Sequence, residues 1–195
     1  PEAIHTTKVD MAKADLVIAC DAIVAASRYT MTVMQQGRSY VALNTHGTPT
    51  AAFVKNTQWQ FPGDSCEAAL AASVGTERVG AFDAEEVAVQ LPGAAIYTNP
   101  LMMGYAWQRG RIPLGLPSIL RAIELNGVQV ENNKAAFEWG RRCAHDLAAV
   151  QALFQAQQVI EIVRQPALDE VVARRAEFLT GYQNATYTAH YRAFV

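Results

Sequence analysis

The sequence predicts an α/β protein with a short, mostly parallel sheet and flanking helices in its first half, followed by a helical second half. Leu16 to Ala19 form a continuous apolar run, which is typical of a strand that is covered on both faces. A polar step at Cys20-Asp21 follows, and a helix-like segment then extends to Gln36-Gly37. A second apolar run, Tyr40 to Leu43, comes directly afterwards. The order strand, helix, strand indicates a parallel sheet.

The first predicted helix begins after Asp21, whose carboxylate is placed to accept from the free backbone N–H groups of its first turn. Its apolar and small residues recur at helical spacing from Ile23 to Met34, so we expect one continuous helix. Further along, Asp64 is predicted to cap a helix that ends at Val74-Gly75. A third strand, Val79 to Phe82, is followed by a helix to about Leu91, with Asp83 as its N-cap.

The second half reads as a series of helices with clear stop signals. The predicted helices are Asn99 to Arg109, with Gly104 allowing a close approach, then Ser118 to Leu125, Gln129 to His145 and Leu147 to Gln157. Asp146 is the predicted N-cap of the last of these. Beyond Pro166, apolar residues from Leu168 to Ala189 recur at helical spacing, which predicts one long amphipathic helix that forms a C-terminal extension.

Composition narrows the classes of function. The chain has 195 residues, of which 51% are hydrophobic, so it is predicted to be globular. Its formal net charge is −2 and it has no run of Lys or Arg, so neither nucleic acid nor a membrane is an expected partner. The opening residues lack the apolar core of a signal peptide, so we expect a cytoplasmic protein. Because residue 1 is Pro rather than Met, we expect a piece of a longer protein.

Polar residues follow the ends of the predicted strands. Ligands of open α/β sheets bind beyond the carboxyl ends of the strands, so the candidate rim consists of Cys20, Asp21, Asn44 to His46, Asp83 and Thr98-Asn99. Each member also has a structural interpretation. Asp21 and Asp83 are expected as helix caps. His46 precedes Gly47, so closing a turn is the favoured interpretation and facing a ligand is the alternative.

Nucleophilic and metal chemistry have little support in the sequence. Cys20, Cys66 and Cys143 are too widely spaced for a disulfide framework, a zinc site or an iron–sulfur cluster, so we expect no metal here. Cys20 at the end of a buried strand is expected to be an inert small hydrophobe, which weakens a Cys-His hydrolase interpretation. The sequence contains no GxGxxG, Walker A, GxSxG or HExxH motif, so no self-contained nucleotide or hydrolase site is predicted.

Several longer stretches resemble a known family. The segment NKAAFEWG at 133–140 resembles the gamma subunit or domain of 2-oxoacid:ferredoxin oxidoreductases. The narrower resemblance, which extends over nearly the whole chain, is to the fused bacterial indolepyruvate ferredoxin oxidoreductases. It is carried by NTHGTPTAAF at 44–53, YTNPLMMGYAWQRGRIPL at 97–114 and RAIELNGVQVENNKAAFEWGRR at 121–142. Residues 168–195 are similar to the start of the C-terminal region that follows the gamma domain in those fused chains.

The resemblance implies an enzyme that oxidatively decarboxylates an aryl-2-oxoacid on thiamine diphosphate. Electrons would pass through iron–sulfur clusters to ferredoxin, and the product would be an acyl-CoA. These cofactors are implied for the complete enzyme and largely for its other domains, so this chain is expected to be catalytically silent alone. Within it, Asn99 matches an Asn that the family places near the CoA side, although capping of the following helix is an equal alternative. We also expect His46 and Asp21 on the CoA side.

The implied organisation is a gamma domain over residues 1–160 and the start of a helical region over 166–195. The family's gamma domain opens with a glycine-rich strand, loop and helix that this sequence does not contain. We therefore expect an uncovered sheet edge, an exposed apolar stripe after Pro166 and self-association of the isolated chain. The implied partners are the other domains or subunits of the oxidoreductase. The alternative function is a non-catalytic α/β interaction module that binds a partner through the helix after Pro166.

Overall fold

A parallel sheet of three strands organises the first part of the chain. The computed structural model describes residues 8–47, 61–155 and 167–195, and in these β1 is Leu16–Ala19, β2 is Tyr40–Asn44 and β3 is Val79–Phe82. The strand order is β1-β2-β3, and both pairings are parallel. The predicted α/β class, the parallel sheet and its three strands are therefore confirmed.

The central strand separates two layers of helices. Tyr40 and Ala42 face one apolar cluster, whereas Val41 and Leu43 face the other. Three helices lie in the connections between the strands: α1 (Ala22–Ala25), α2 (Arg28–Thr32) and α3 (Gly63–Val74). Of these, α1 and α3 supply the apolar cluster around Val41. The opposite cluster is supplied by α4 (Ala84–Gln90), α5 (Thr98–Gln108), α7 (Val130–His145) and α8 (Leu147–Gln155). Burial of β2 on both faces accounts for its uninterrupted apolar sequence.

Two glycines bring α5 and α7 into backbone contact. A Cβ atom added at Gly104 would collide with the backbone carbonyl of Phe137, and one added at Gly140 would collide with that of Leu101. The predicted close approach at Gly104 is confirmed, and Gly140 is its counterpart on α7. Met102 and Phe137 are buried beside this contact, so it forms part of the main core.

The remaining helix ends before residue 156 follow the predicted stop signals. Helix α6 covers Leu116–Asn126 and ends at Gly127, whose φ of 72° is left-handed. Short 3₁₀ turns occupy Thr76–Arg78 and Ala95–Tyr97. Asp146 accepts from the backbone N–H of Ala149 at 2.9 Å, so the predicted cap of α8 is confirmed. Nowhere in the described ranges is there a helix with both the length and the apolar character that crossing a bilayer requires.

Two predictions about the helices of the first half are wrong. The helix after Asp21 is not continuous, because the Ser27 hydroxyl accepts from the backbone N–H of Thr30 at 3.4 Å and starts α2 separately. Asp64 does not cap α3. That helix already begins at Gly63, with Pro62 as its N-cap residue, so Asp64 lies within the first turn.

The chain divides into two compact units, within residues 1–157 and 158–195. In the second, the single long helix that the sequence predicts is instead two helices, α9 (Leu168–Tyr182) and α10 (Ala185–Phe194). The break occurs because the Asn184 side chain accepts from the backbone N–H of Tyr187 at 2.9 Å and caps a new helix. The hydroxyls of Thr180 and Thr188 meet at 2.9 Å between the two helices.

Candidate functional site

The carboxyl ends of the strands are joined by one buried amide. Asn44, the last residue of β2, is 2% exposed, and its Nδ2 donates to the carbonyl oxygen of Cys20 at 3.2 Å. Its Oδ1 accepts from the backbone N–H of Ala84 at 3.0 Å and from that of His46 at 3.2 Å. A single side chain therefore ties the end of β2 to the end of β1, to the start of α4 and to the loop that carries His46.

Both aspartates of the predicted rim cap helices. Asp21 accepts from the backbone N–H of Val24 at 3.0 Å, and Asp83 accepts from that of Glu86 at 2.7 Å. The capping interpretation is confirmed for both. The pKa of the Cys66 thiol is raised. Burial of the thiol is the main cause, and the negative charge of Asp21 adds to it.

The structure brings His46 and Asp83 into contact at this edge. Nδ1 of His46 lies 3.1 Å and 3.2 Å from the two carboxylate oxygens of Asp83, and Nε2 lies 3.4 Å from Oε1 of Glu85. The ring is therefore placed between two carboxylates while its side chain remains 36% exposed. Asp21 belongs to the same edge through the bond of Asn44 to Cys20, but it does not reach the imidazole in any described contact.

Sequence reasoning missed the part that Glu85 plays. Glu85 lies in the first turn of α4, where an acidic residue also supports the helix start. Together with His46 and Asp83 it lines an open cavity of about 360 Å³, whose other walls are Glu86, Val89 and Gln90. The spacing of Asp83 and Glu85 was visible in the sequence, but the position of His46 between them depends on how β2 and β3 align.

The cavity is suited to hydrogen-bond donors and unsuited to phosphate groups. Asp83, Glu85 and Glu86 present carboxylates, and His46 is the only residue that forms a described ion pair with them. Like charges close together in a site repel each other, so an incoming phosphate would be disfavoured. Amide, hydroxyl and ammonium groups find acceptors there.

Asn99 is not brought into this cluster. Its side chain is exposed in the first turn of α5, and none of the hydrogen bonds described joins it to Asn44, His46 or Asp83. The alternative that it caps α5 is also wrong, because that helix begins at Thr98 with Tyr97 as its N-cap residue. The Thr98 hydroxyl instead donates to the carbonyl oxygen of Ala95 at 2.8 Å.

The cysteines have the properties of inert thiols. Burial raises the pKa of Cys20, and it raises that of Cys143 to about 12. A thiol with a raised pKa has little thiolate near neutral pH and is a poor nucleophile. That Cys20 is no nucleophile stays a prediction.

Within the described ranges, no cluster of three or more His, Cys, Asp and Glu side chains has a geometry that could hold a metal ion. The site is thus a polar, acidic edge organised by Asn44 and carrying one histidine. Among known proteins, no family model, curated protein or solved structure matches this chain.

Proposed function

We propose that this chain is the gamma domain of a thiamine-diphosphate-dependent 2-oxoacid:ferredoxin oxidoreductase of the indolepyruvate type. The complete enzyme would decarboxylate an aryl-2-oxoacid, pass electrons to ferredoxin and form an acyl-CoA. One observation supports this most: the segments that carry the resemblance are those that build the fold and its edge. Asn44 to Gly47 form the polar edge, and 97–114 and 121–142 include the two helices that meet at Gly104 and Gly140.

The domain's own residues are proposed to support the enzyme rather than to carry its redox chemistry. The cysteines do not fit an iron–sulfur cluster, because they are buried or half-buried thiols in no described metal-binding group. The acidic edge likewise does not fit the diphosphate of thiamine diphosphate. Both groups are therefore assigned to other domains or subunits, which are the proposed partners of this chain.

For CoA, the edge fits the uncharged part of the molecule. Its phosphates are disfavoured beside Asp83, Glu85 and Glu86, whereas the pantetheine arm carries amide N–H groups that can donate hydrogen bonds to these carboxylates. His46 and Asp21 are proposed on this side of the enzyme, whereas Asn99 lies outside the edge cluster. We also propose a cytoplasmic location, since Cys20, Cys66 and Cys143 are free thiols, as is usual in a reducing compartment.

The test is an assay of the complete gene product with its iron–sulfur clusters loaded. Reduction of methyl viologen by indolepyruvate is expected to require both thiamine diphosphate and CoA and to release an acyl-CoA. An enzyme preparation with intact clusters that reduces no acceptor with any 2-oxoacid would overturn the proposal.

A second function is favoured by one observation in the C-terminal unit. Leu168, Phe178 and Tyr182 of α9 are 69%, 70% and 72% exposed. Such apolar exposure is typical of an interaction surface, so the alternative is a non-catalytic module that binds a partner through α9. Sedimentation of the isolated chain is expected to show self-association that is lost on replacing Phe178 and Tyr182 with Ser. A monomer over a wide concentration range would contradict an uncovered apolar surface.

A further inference from the structure

An open cavity of about 460 Å³ lies between the second half of α7 and the helix α8. Its volume is within the range of small-molecule sites in proteins. No residue of the acidic edge around His46 lines it. One part of its lining is apolar and consists of Trp139, Val150 and Leu153. The other part carries charges of both signs, on Glu138, Arg141, Arg142 and Asp146.

Two of these charged groups, Glu138 and Arg141, are already paired with each other. Oε2 of Glu138 accepts from Nη1 of Arg141 at 2.6 Å, and Nε of Arg141 donates to the side-chain oxygen of Gln108 at 3.0 Å. The guanidinium group of Arg141 also lies over the ring of Trp107, with Cζ 5.0 Å from the ring centroid. Arg141 and Glu138 therefore form a fixed part of the wall.

The other two, Arg142 and Asp146, have opposite charges but are held apart. The guanidinium group of Arg142 lies over the ring of Trp139, with Cζ 4.6 Å from the ring centroid, and its ion pair with Glu138 is long, at 3.6 Å. The carboxylate of Asp146 is instead turned to α8, where it accepts from the backbone N–H of Ala149 at 2.9 Å. Asp146 takes part in none of the ion pairs found among residues 8–47, 61–155 and 167–195. The cavity thus keeps one positive and one negative group from neutralising each other.

From this arrangement we infer that the cavity binds a free α-amino acid with a large aliphatic side chain, such as leucine. The carboxylate of the ligand pairs with Arg142, because a guanidinium stacked on a ring keeps N–H groups free along its edge. The ammonium group donates to Asp146, whose carboxylate has acceptor positions beyond the one that caps α8. The aliphatic side chain packs on Val150 and on Leu153, which is 47% exposed. This site goes beyond the proposed function and does not depend on it.

Other classes of ligand fit this cavity less well. A phosphate group would lie beside the carboxylates of Glu138 and Asp146, and like charges repel each other. A purely apolar molecule would remove water from Arg142 and Asp146 without replacing its hydrogen bonds, which is costly for charged groups. An amino acid supplies a partner of opposite charge to each of these two side chains and an apolar group to the remaining wall.

The test is equilibrium dialysis of the full chain against radiolabelled L-leucine, and saturable binding is expected. Three analogues, each without one recognised group, should bind about fivefold more weakly: L-leucinamide lacks the carboxylate, 4-methylpentanoate lacks the ammonium group and glycine lacks the side chain. No saturable binding of L-leucine up to about 10 mM would overturn the inference. Equal binding of any analogue would also overturn it, and in the case of 4-methylpentanoate would indicate a merely apolar surface.

Variants locate the binding in this cavity. Arg142→Gln and Asp146→Asn are each expected to raise the Kd for L-leucine about fivefold, and Leu153→Ser about threefold. Asn is a favourable N-cap residue, so Asp146→Asn keeps the start of α8 while removing the charge. The matched controls are Arg28→Gln and Asp10→Asn, which make the same changes of charge at exposed residues outside the cavity and should bind like the wild type. Affinities of Arg142→Gln and Asp146→Asn equal to those of their controls would overturn the assignment.

Discussion

The side-chain amide of Asn44 donates to the backbone carbonyl of Cys20 across 3.2 Å, so that the ends of β1 and β2 are joined by a side chain beyond the strand ladder. The same side chain accepts from the backbone N–H of Ala84 at the start of α4. Because Asn44 is buried, its loss would leave both backbone groups without this partner.

Asn44→Ala is expected to lower the free energy of unfolding by about 2–3 kcal/mol, since buried backbone groups lose their hydrogen bonds. Urea denaturation followed by circular dichroism measures this. Thr45→Ala is the control, because Thr45 is the neighbouring residue and its side chain forms no described hydrogen bond. Its unfolding free energy should change by less than about 1 kcal/mol. Equal effects of the two substitutions would contradict the linking function of Asn44.

Gly104→Ala and Gly140→Ala are each expected to destabilise the protein by about 3 kcal/mol. The added methyl group would overlap the backbone of the facing helix, which cannot move away as a flexible side chain would. Thermal unfolding gives the comparison. Gly181→Ala is the control, because its added Cβ meets no atom within 4 Å and helical Gly to Ala is favourable. A normal melting temperature for Gly104→Ala would contradict the close packing of α5 on α7.

Stability is expected to decrease between about pH 10 and pH 12 through Tyr40. Burial raises the pKa of this phenol to about 12, and the adjacent Tyr105 adds to the increase. Between the unfolded value of about 10 and this folded value, unfolding releases a proton, so rising pH favours the unfolded chain. The loss should reach about 2–3 kcal/mol above pH 12. In Tyr40→Phe the decrease over this range should be smaller by that amount, whereas an identical pH profile would contradict the raised pKa.

The thiols of Cys66 and Cys143 are expected to react with iodoacetamide at pH 8 only as the chain unfolds. Both are buried, and the pKa of each is raised by burial. Mass spectrometry of the native and urea-unfolded chain gives the modified fraction at each cysteine. Cys20 is half-buried with a raised pKa, so slow modification is expected there as well. Rapid alkylation of native Cys20 would revive the Cys-His hydrolase interpretation.

The sheet was predictable because its signals are local. A strand buried on both faces requires an uninterrupted apolar run, and Tyr40 to Leu43 provide one. The similar run of Leu16 to Ala19 does form a strand, but the expectation that it is covered on both faces is wrong, because β1 lies at the edge of the sheet and Ile18 is 36% exposed. Asp21 and Asp83 likewise follow strands directly before a helix, where a side-chain carboxylate can accept from the free backbone N–H groups of the first helical turn. The close contact at Gly104 was also predictable, because a glycine inside an apolar helix indicates a close neighbour.

The errors arose where two local structures compete. Ser27 and Asn184 each occur inside a periodic apolar pattern, and each caps a new helix rather than continuing the old one. The periodicity of apolar residues alone does not reveal such a break, because α1 and α2 follow each other after only two residues and the apolar residues still recur at helical spacing across both. At the edge, the pairing of Asn44 with Cys20 and of His46 with Glu85 depends on contacts between residues 24 and 39 positions apart, which the sequence pattern does not encode.

The central claim is that the edge built around Asn44 and His46 serves the CoA side of a 2-oxoacid oxidoreductase. The most direct test is the dependence of the rate on CoA concentration in the complete gene product, with His46→Ala compared with Arg28→Gln. We predict that His46→Ala raises the KM for CoA about threefold to tenfold, because the imidazole that lies between Asp83 and Glu85 no longer positions these hydrogen-bond acceptors, while kcat and the KM for the oxoacid stay near those of Arg28→Gln. An unchanged KM for CoA in an active His46→Ala enzyme would contradict the claim.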